Sequence, residues 1–202
     1  DVDASSYPIL AAFIDALMPR LVHCCYRKNH HSIIGGVVAL DSMYKCLPAV
    51  IMKKQLASVI PALIRAIQSL PVHAVSQTKE ATEVFLRIIE RCVPASATLR
   101  GEESSVEAGV AVLVEELCSV SGACSSRAAV EQALAGISKR TSTPMRELLQ
   151  LKDEMMAALV ERPLQSRHVL SQIQMVKFMT FCLSASPPLI KLENNYLVVI
   201  QD

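Results

Sequence analysis

Aromatic side chains are scarce in this chain: four Tyr, four Phe and no Trp among 202 residues. Surfaces that stack nucleobases need several exposed rings, so a platform of that kind is excluded. Charge is thin as well. Lys, Arg, Asp and Glu make up 19% and nearly cancel at a net +1, against a usual charged share of about 25%. That balance gives no overall electrostatic footprint for DNA. The six glycines form no phosphate-cradling loop and no dinucleotide fingerprint, and there is no Gly-x-Ser-x-Gly elbow or HExxH motif. No segment alternates with period two over a useful length, so no sheet is expected. The longest apolar runs, such as Ile33 to Leu40, fall far short of the roughly 20 residues that cross a bilayer. The opening Asp1-Val2-Asp3 carries neither an initiator Met nor a basic segment before an apolar core, and it reads as a fragment of a longer chain without a signal peptide.

What is abundant is aliphatic, with 51% of residues apolar, and it is ordered with helical period. Leu56, Val59, Ile60, Leu63, Ile64 and Ile67 form one stripe of a 3.6-residue helix. After a break at Ser69-Leu70-Pro71 the pattern resumes with Val75, Val84, Phe85, Ile88 and Ile89. An earlier pair is expected from Pro8 and from Ser32. The first of its helices carries Ile9, Leu10, Phe13, Ile14, Leu17, Leu21 and Val22, with a kink at Pro19. The second is capped by Ser32, runs to Leu47 and holds Gly35-Gly36 where two backbones approach closely. Val93 to Ser105 has no apolar period and reads as an exposed loop. Beyond it, helices are expected over Val106 to Val120 (stripe Val110, Leu113, Val114, Leu117), over Ser126 to Ile137 and from Thr143-Pro144 through Val160. A last one should run from Ser166 to Leu183, with Leu189 to Ile200 as a short helix or tail. A helix pair cannot bury both its faces alone, so successive pairs must stack. The fold class is therefore all-α, an α-solenoid of HEAT-like antiparallel helix pairs with about four repeats. Residues 1–202 form a single segment of a larger protein, and prolines inside first helices (Pro19, Pro61) are a HEAT habit.

Seven cysteines without framework spacing read as free thiols of a reducing compartment, the nucleus or cytoplasm. The densest reactive cluster is His23, Cys24, Cys25, His30 and His31. Thiolates and imidazoles can hold zinc, but the CxxC or HxxxH spacing of structural sites is missing and neighbouring Cys24 and Cys25 diverge by about 100° on a helix. Cys24 cannot face His23 as a nucleophile faces its base, since adjacent helical residues point apart. Their simpler reading is one core Cys, one boundary Cys and solvated histidines. Met145, Met155, Met156, Met175 and Met179 are core by spacing, or an adaptable peptide groove. Lys53-Lys54 and Lys139-Arg140 are helix-end or solvated charges, and Ser125-Ser126 are helix caps. No residue is assigned a catalytic, cofactor-binding or metal role, and the segment is read as non-enzymatic.

Two blocks carry a family likeness. The first comprises Leu21-Val22-His23-Cys24-Cys25-Tyr26, then Gly36-Val37-Val38-Ala39-Leu40, then Leu47-Pro48. The second comprises Gln172-Ile173, Thr180-Phe181-Cys182 and Pro187-Pro188-Leu189. In this order they resemble the HEAT-repeat region of the transformation/transcription domain-associated protein family, pseudokinases of the phosphatidylinositol 3-kinase-related kinase superfamily. Leu63 to Leu70 and Thr82 to Cys92 are similar in pattern. The resemblance implies an arc of a nuclear scaffold for histone acetyltransferase complexes in transcription regulation. Its implied partners are subunits of those complexes, transcription activators and adjacent repeats of the parent chain, with no cofactor, no membrane and no direct nucleic-acid contact. A segment of an active kinase of the superfamily, of a transport receptor or phosphatase scaffold, or a small metal-binding or cysteine-dependent helical enzyme are the alternatives.

Overall fold

The stripe that begins at Leu56 is buried along its whole length. The computed structural model describes residues 7–93, 104–118 and 124–149, together with 173, 176, 177, 180 and 181. Its ordered elements are α1 (Tyr7–Cys25), α2 (His30–Cys46), α3 (Ala49–Lys53), α4 (Leu56–Ser69), α5 (Val75–Cys92), α6 (Ser104–Cys118), α7 (Cys124–Thr141) and α8 (Met145–Leu149). Among the described residues there is no strand, and the all-α solenoid class stands. The chain divides into two compact units, Asp1–Gly109 and Val110–Asp202, with the boundary inside α6.

In the first unit the helices pack in a repeating order. α1 lies on α2 and α4 lies on α5, each pair joined by a short turn that makes its helices antiparallel. The pairs then stack like on like, α1 against α4 and α2 against α5. Side-chain neighbours fix the sense of the stacking. Gln55 Nε2 donates to Asp15 Oδ1 at 2.6 Å at the start of α4, and Arg65, further along α4, sits near enough to Tyr26 to act on its hydroxyl. On the other layer Arg87 Nε approaches Asp41 Oδ1 at 3.6 Å, and Cys92 is near enough to Tyr44 to act on its hydroxyl. Both layers therefore run parallel, with offsets of about 40 to 48 residues, the length of one HEAT repeat.

Helix α4 holds the centre because its stripe is wide. Leu56, Val59, Ile60, Leu63, Ile64 and Ile67 are all buried, as are Ala62 and Ala66. Each larger side chain contributes about 1.5–3 kcal/mol by leaving water. On α5 the stripe narrows to Val84, Phe85, Ile88 and Ile89, while Val75 stands exposed at the first turn. Both internal prolines sit within unbroken helices. Proline removes the amide that residue i−4 would accept, here at Asp15 and Ala57. Both of those residues are exposed, so water can serve the stranded carbonyls.

Three local expectations are corrected. The start of α2 is capped by Asn29, not Ser32: Asn29 Oδ1 accepts from the His31 amide at 3.0 Å, and Ser32 lies inside the first turn. Replacing Asn29 by alanine should cost about 1 kcal/mol in a urea titration, while Ser32→Ala should leave the midpoint nearly unchanged. Between α2 and α4 the structure has α3, which is too short to show a period in sequence; Ile51 and Met52 are buried on it. The Tyr44 hydroxyl donates to the Met52 carbonyl at 3.0 Å and secures its end. Finally, α7 begins at Cys124, so Ser126 is a buried helical residue rather than a cap.

In the second unit Val110, Leu113, Val114 and Leu117 of α6 are buried as the period requires. α7 packs on α8 with Val130, Ala133, Leu134 and Ile137 buried. Ser142 takes φ 52 just past α7, the left-handed conformation that ends many helices. Ser138 Oγ donates to the Thr143 carbonyl at 2.7 Å across that turn. The Thr143 hydroxyl donates back to the Thr141 carbonyl at 3.5 Å. Of the expected loop, Val93 is buried and Ser104 and Ser105 belong to α6; 94–103 lie outside the described residues. So do most of the expected Ser166–Leu183 helix, the continuation of α8 to Val160 and the Leu189–Ile200 segment.

Candidate functional site

The α1–α2 corner holds the reactive cluster seen in sequence, and the backbone explains its arrangement. Gly36 lets α2 close on α1: a Cβ placed there would lie 2.9 Å from Cys24 Cβ, 3.2 Å from Cys25 Sγ and 3.3 Å from the Cys25 amide nitrogen. This approach seals Cys25 in the core, with its Sγ 3.9 Å from the Leu21 carbonyl. Burial, helped by the neighbouring Cys24 thiol, pushes the Cys25 thiol up from 9.0 to about 12. A thiol held neutral is a poor nucleophile and a poor metal ligand. Cys24 is half-buried, whereas His23, His30 and His31 are exposed, the last two with ring centres 3.9 Å apart. Among the described residues no three His, Cys, Asp or Glu side chains converge on one point.

The sign of the Cys25 shift sets a pH dependence. Below pH 9.0 the thiol is neutral in both folded and unfolded chains, and the native state keeps its full stability. As pH rises from there toward about 12 the unfolded chain ionises first, and stability falls. The same burial should protect Cys25 from alkylation at pH 8. Mass-resolved labelling with iodoacetamide is expected to modify exposed Cys46 rapidly, and to modify buried Cys25 and Cys92 only in urea.

The other sequence candidates are dispersed. Met145 is half-buried at the start of α8; Met155, Met156, Met175 and Met179 lie outside the described residues. Lys53 closes α3, Lys54 follows it in the exposed turn, and Lys139 and Arg140 occupy the last turn of α7. Cations belong at helix C-termini, where they meet the negative end of the dipole. Asp41 is the polar group whose role the sequence concealed. It is buried on α2 and meets Lys45 Nζ at 2.5 Å on its own helix and Arg87 on α5, linking one repeat to the next.

Helix α1 presents an uncovered apolar face. Ile14, Met18 and Cys25 are buried, yet Ile9 is 76% and Phe13 60% exposed, with Ala12, Ala16 and Pro19 also exposed. Contrary to the reading by consecutive runs, its Pro8–Cys25 window is long and apolar enough to cross a membrane. In this fold, however, it packs against α2 and α4, with Asp15 and Arg20 among its exposed residues.

Stacked antiparallel helix pairs with a repeat-length offset define the class: a HEAT-type α-solenoid, a structural repeat region. The chain matches the family model of the Tra1 HEAT repeat ring region over residues 3–202. It belongs to that family. No curated protein matches it significantly.

Proposed function

We propose that this segment is an arc of the superhelical ring of a large pseudokinase scaffold, and that it helps assemble nuclear histone acetyltransferase complexes in transcription regulation. The family match supports the reading, and the observation that carries it is the uncovered apolar face of α1. Ile9 and Phe13 are placed for packing rather than chemistry, because a solenoid helix needs a neighbour on each side. In the assembled protein a further helix pair covers that face, and sister subunits bind the exposed edges.

Affinity capture of the tagged full-length parent from its own cells, followed by mass spectrometry, tests the proposal. Recovery of acetyltransferase subunits is the expected result. Recovery of transport cargo or a phosphatase in their place would leave the solenoid intact and overturn the scaffold assignment. Nuclear fluorescence of the same tagged protein is expected.

A further inference from the structure

The α7–α8 turn carries a pattern that the scaffold reading leaves unused. Thr143 is followed at once by Pro144 and, three positions on, by Arg146. Of the chain's ten prolines, two follow Ser or Thr, at Thr143-Pro144 and Ser186-Pro187. Only the first of these has a cation at the third place; after Ser186 that place is Leu189. Between Glu131 and Glu147 the chain holds Lys139, Arg140 and Arg146 and no carboxylate.

The fold presents this pattern outside regular structure. α7 ends at Thr141 and α8 begins at Met145, so Thr143 and Pro144 lie in the connection. Ser142, Pro144 and Arg146 are exposed, and Thr143 is half-buried. A proline confines the residue before it to the extended region, the backbone shape that a substrate takes in a protein-kinase cleft. Pro144 has no amide to donate, so a cleft without an acceptor at that point loses nothing by taking it. The Thr143 hydroxyl is held loosely: it donates to the Thr141 carbonyl at 3.5 Å, near the outer limit of a hydrogen bond. α8 is five residues long, and a helix of that length resists opening little on its own account. Its first turn can unwind and bring Arg146 into line with Thr143 while α7 stays folded.

We propose that Thr143 is a phosphorylation site for a proline-directed protein kinase whose cleft also pairs a cation three residues past the acceptor. Thr143 Oγ1 attacks the γ-phosphorus of ATP. The bond from that phosphorus to the β,γ-bridging oxygen breaks, and ADP leaves with the electron pair. The hydroxyl proton passes to the carboxylate of the kinase's catalytic Asp. The product adds about −1.5 to −2 of charge to a stretch that holds three cations and no carboxylate, so most of the turn's positive charge is cancelled. The site rests on this turn alone and stands whether or not the parent assembles acetyltransferase complexes.

Treatment of the folded 202-residue chain with ATP and a purified cyclin-dependent kinase, mapped by mass spectrometry, tests it. Trypsin cuts after Arg140 and Arg146 and releases Thr141–Arg146, whose fragment ions separate phosphate on Thr143 from phosphate on Thr141 or Ser142. Phosphate on Thr143 is expected, at a rate within about a hundredfold of that for an unfolded peptide of residues 138–149. Pro144→Ala and Arg146→Ala should each lower kcat/KM by about tenfold or more, whereas Ser142→Ala should leave it unchanged. An unchanged circular dichroism melt confirms that each variant folds. Phosphate confined to Ser142 or Ser186 overturns the proposal, as does a rate on the folded chain below that hundredfold margin. In the parent captured from its own cells, Thr141–Arg146 is expected in phosphorylated form, and its recovery solely unmodified also overturns the proposal. Neither result depends on which subunits are captured with the parent, so the two readings fall separately.

Discussion

Phe85→Ala is expected to destabilise the first unit by about 3–5 kcal/mol, the largest effect of any single truncation on α5. Phe85 is fully buried, and α5 packs on α2, α3 and α4, so the ring lies on the helix that ties both layers together. Removing it takes away the transfer free energy of the ring and leaves a cavity that the surrounding helices cannot readily close. Against a typical domain stability of about 5–15 kcal/mol, the loss should bring unfolding close to ambient conditions. Urea denaturation followed by circular dichroism measures it. Phe13→Ala is the control: at 60% exposed, it should shift stability by no more than about 0.5 kcal/mol. Equal effects at the two positions would contradict the packing of α5.

The second large effect is expected at Gly36, and the adjacent glycine supplies the comparison. Leucine at Gly36 would drive a side chain into α1, where even a Cβ would lie 2.9 Å from Cys24 Cβ and 3.3 Å from the Cys25 amide nitrogen. Backbone cannot yield as a side-chain tip can, and a loss of about 3 kcal/mol follows as α2 is levered away. At Gly35 nothing lies within 4 Å of a Cβ. Gly35→Leu should therefore stabilise α2 by roughly 0.5–1 kcal/mol through helix propensity. Opposite signs at neighbouring residues are the signature, read as a fall and a rise in melting temperature. The Gly36 variant should also expose Cys25 to alkylation, which reports the opening of the corner independently.

Much of the fold was legible because its signal is periodic. The stripes of α4 and α6 could be read residue by residue, and every member is buried. The α5 stripe held except at Val75, which is 70% exposed in the first turn. What escaped had no period to reveal it. Five residues of α3 complete little more than one turn, and the Tyr44 hydroxyl that holds its end comes from another helix. Ser32 has the chemistry of a cap, but Asn29, three positions earlier and of similar chemistry, takes that place. The close approach expected of Gly35-Gly36 holds for Gly36 alone: nothing lies within 4 Å of a Cβ at Gly35, and only three-dimensional neighbours distinguish the two. Asp41 and Arg87 carry no local sign that they meet.

Parallel stacking at a nearly constant offset also bears on how such a chain is made. Contacts in the first unit join residues about 40 to 48 positions apart, so a helix pair can find its neighbour once the next pair has left the ribosome. Synthesis at about 5–20 residues per second delivers that length within seconds. Closing loops of this size costs little more entropy for each added residue. The scaffold can therefore be built pair by pair during translation, with the open face of the newest helix as the template for the one that follows.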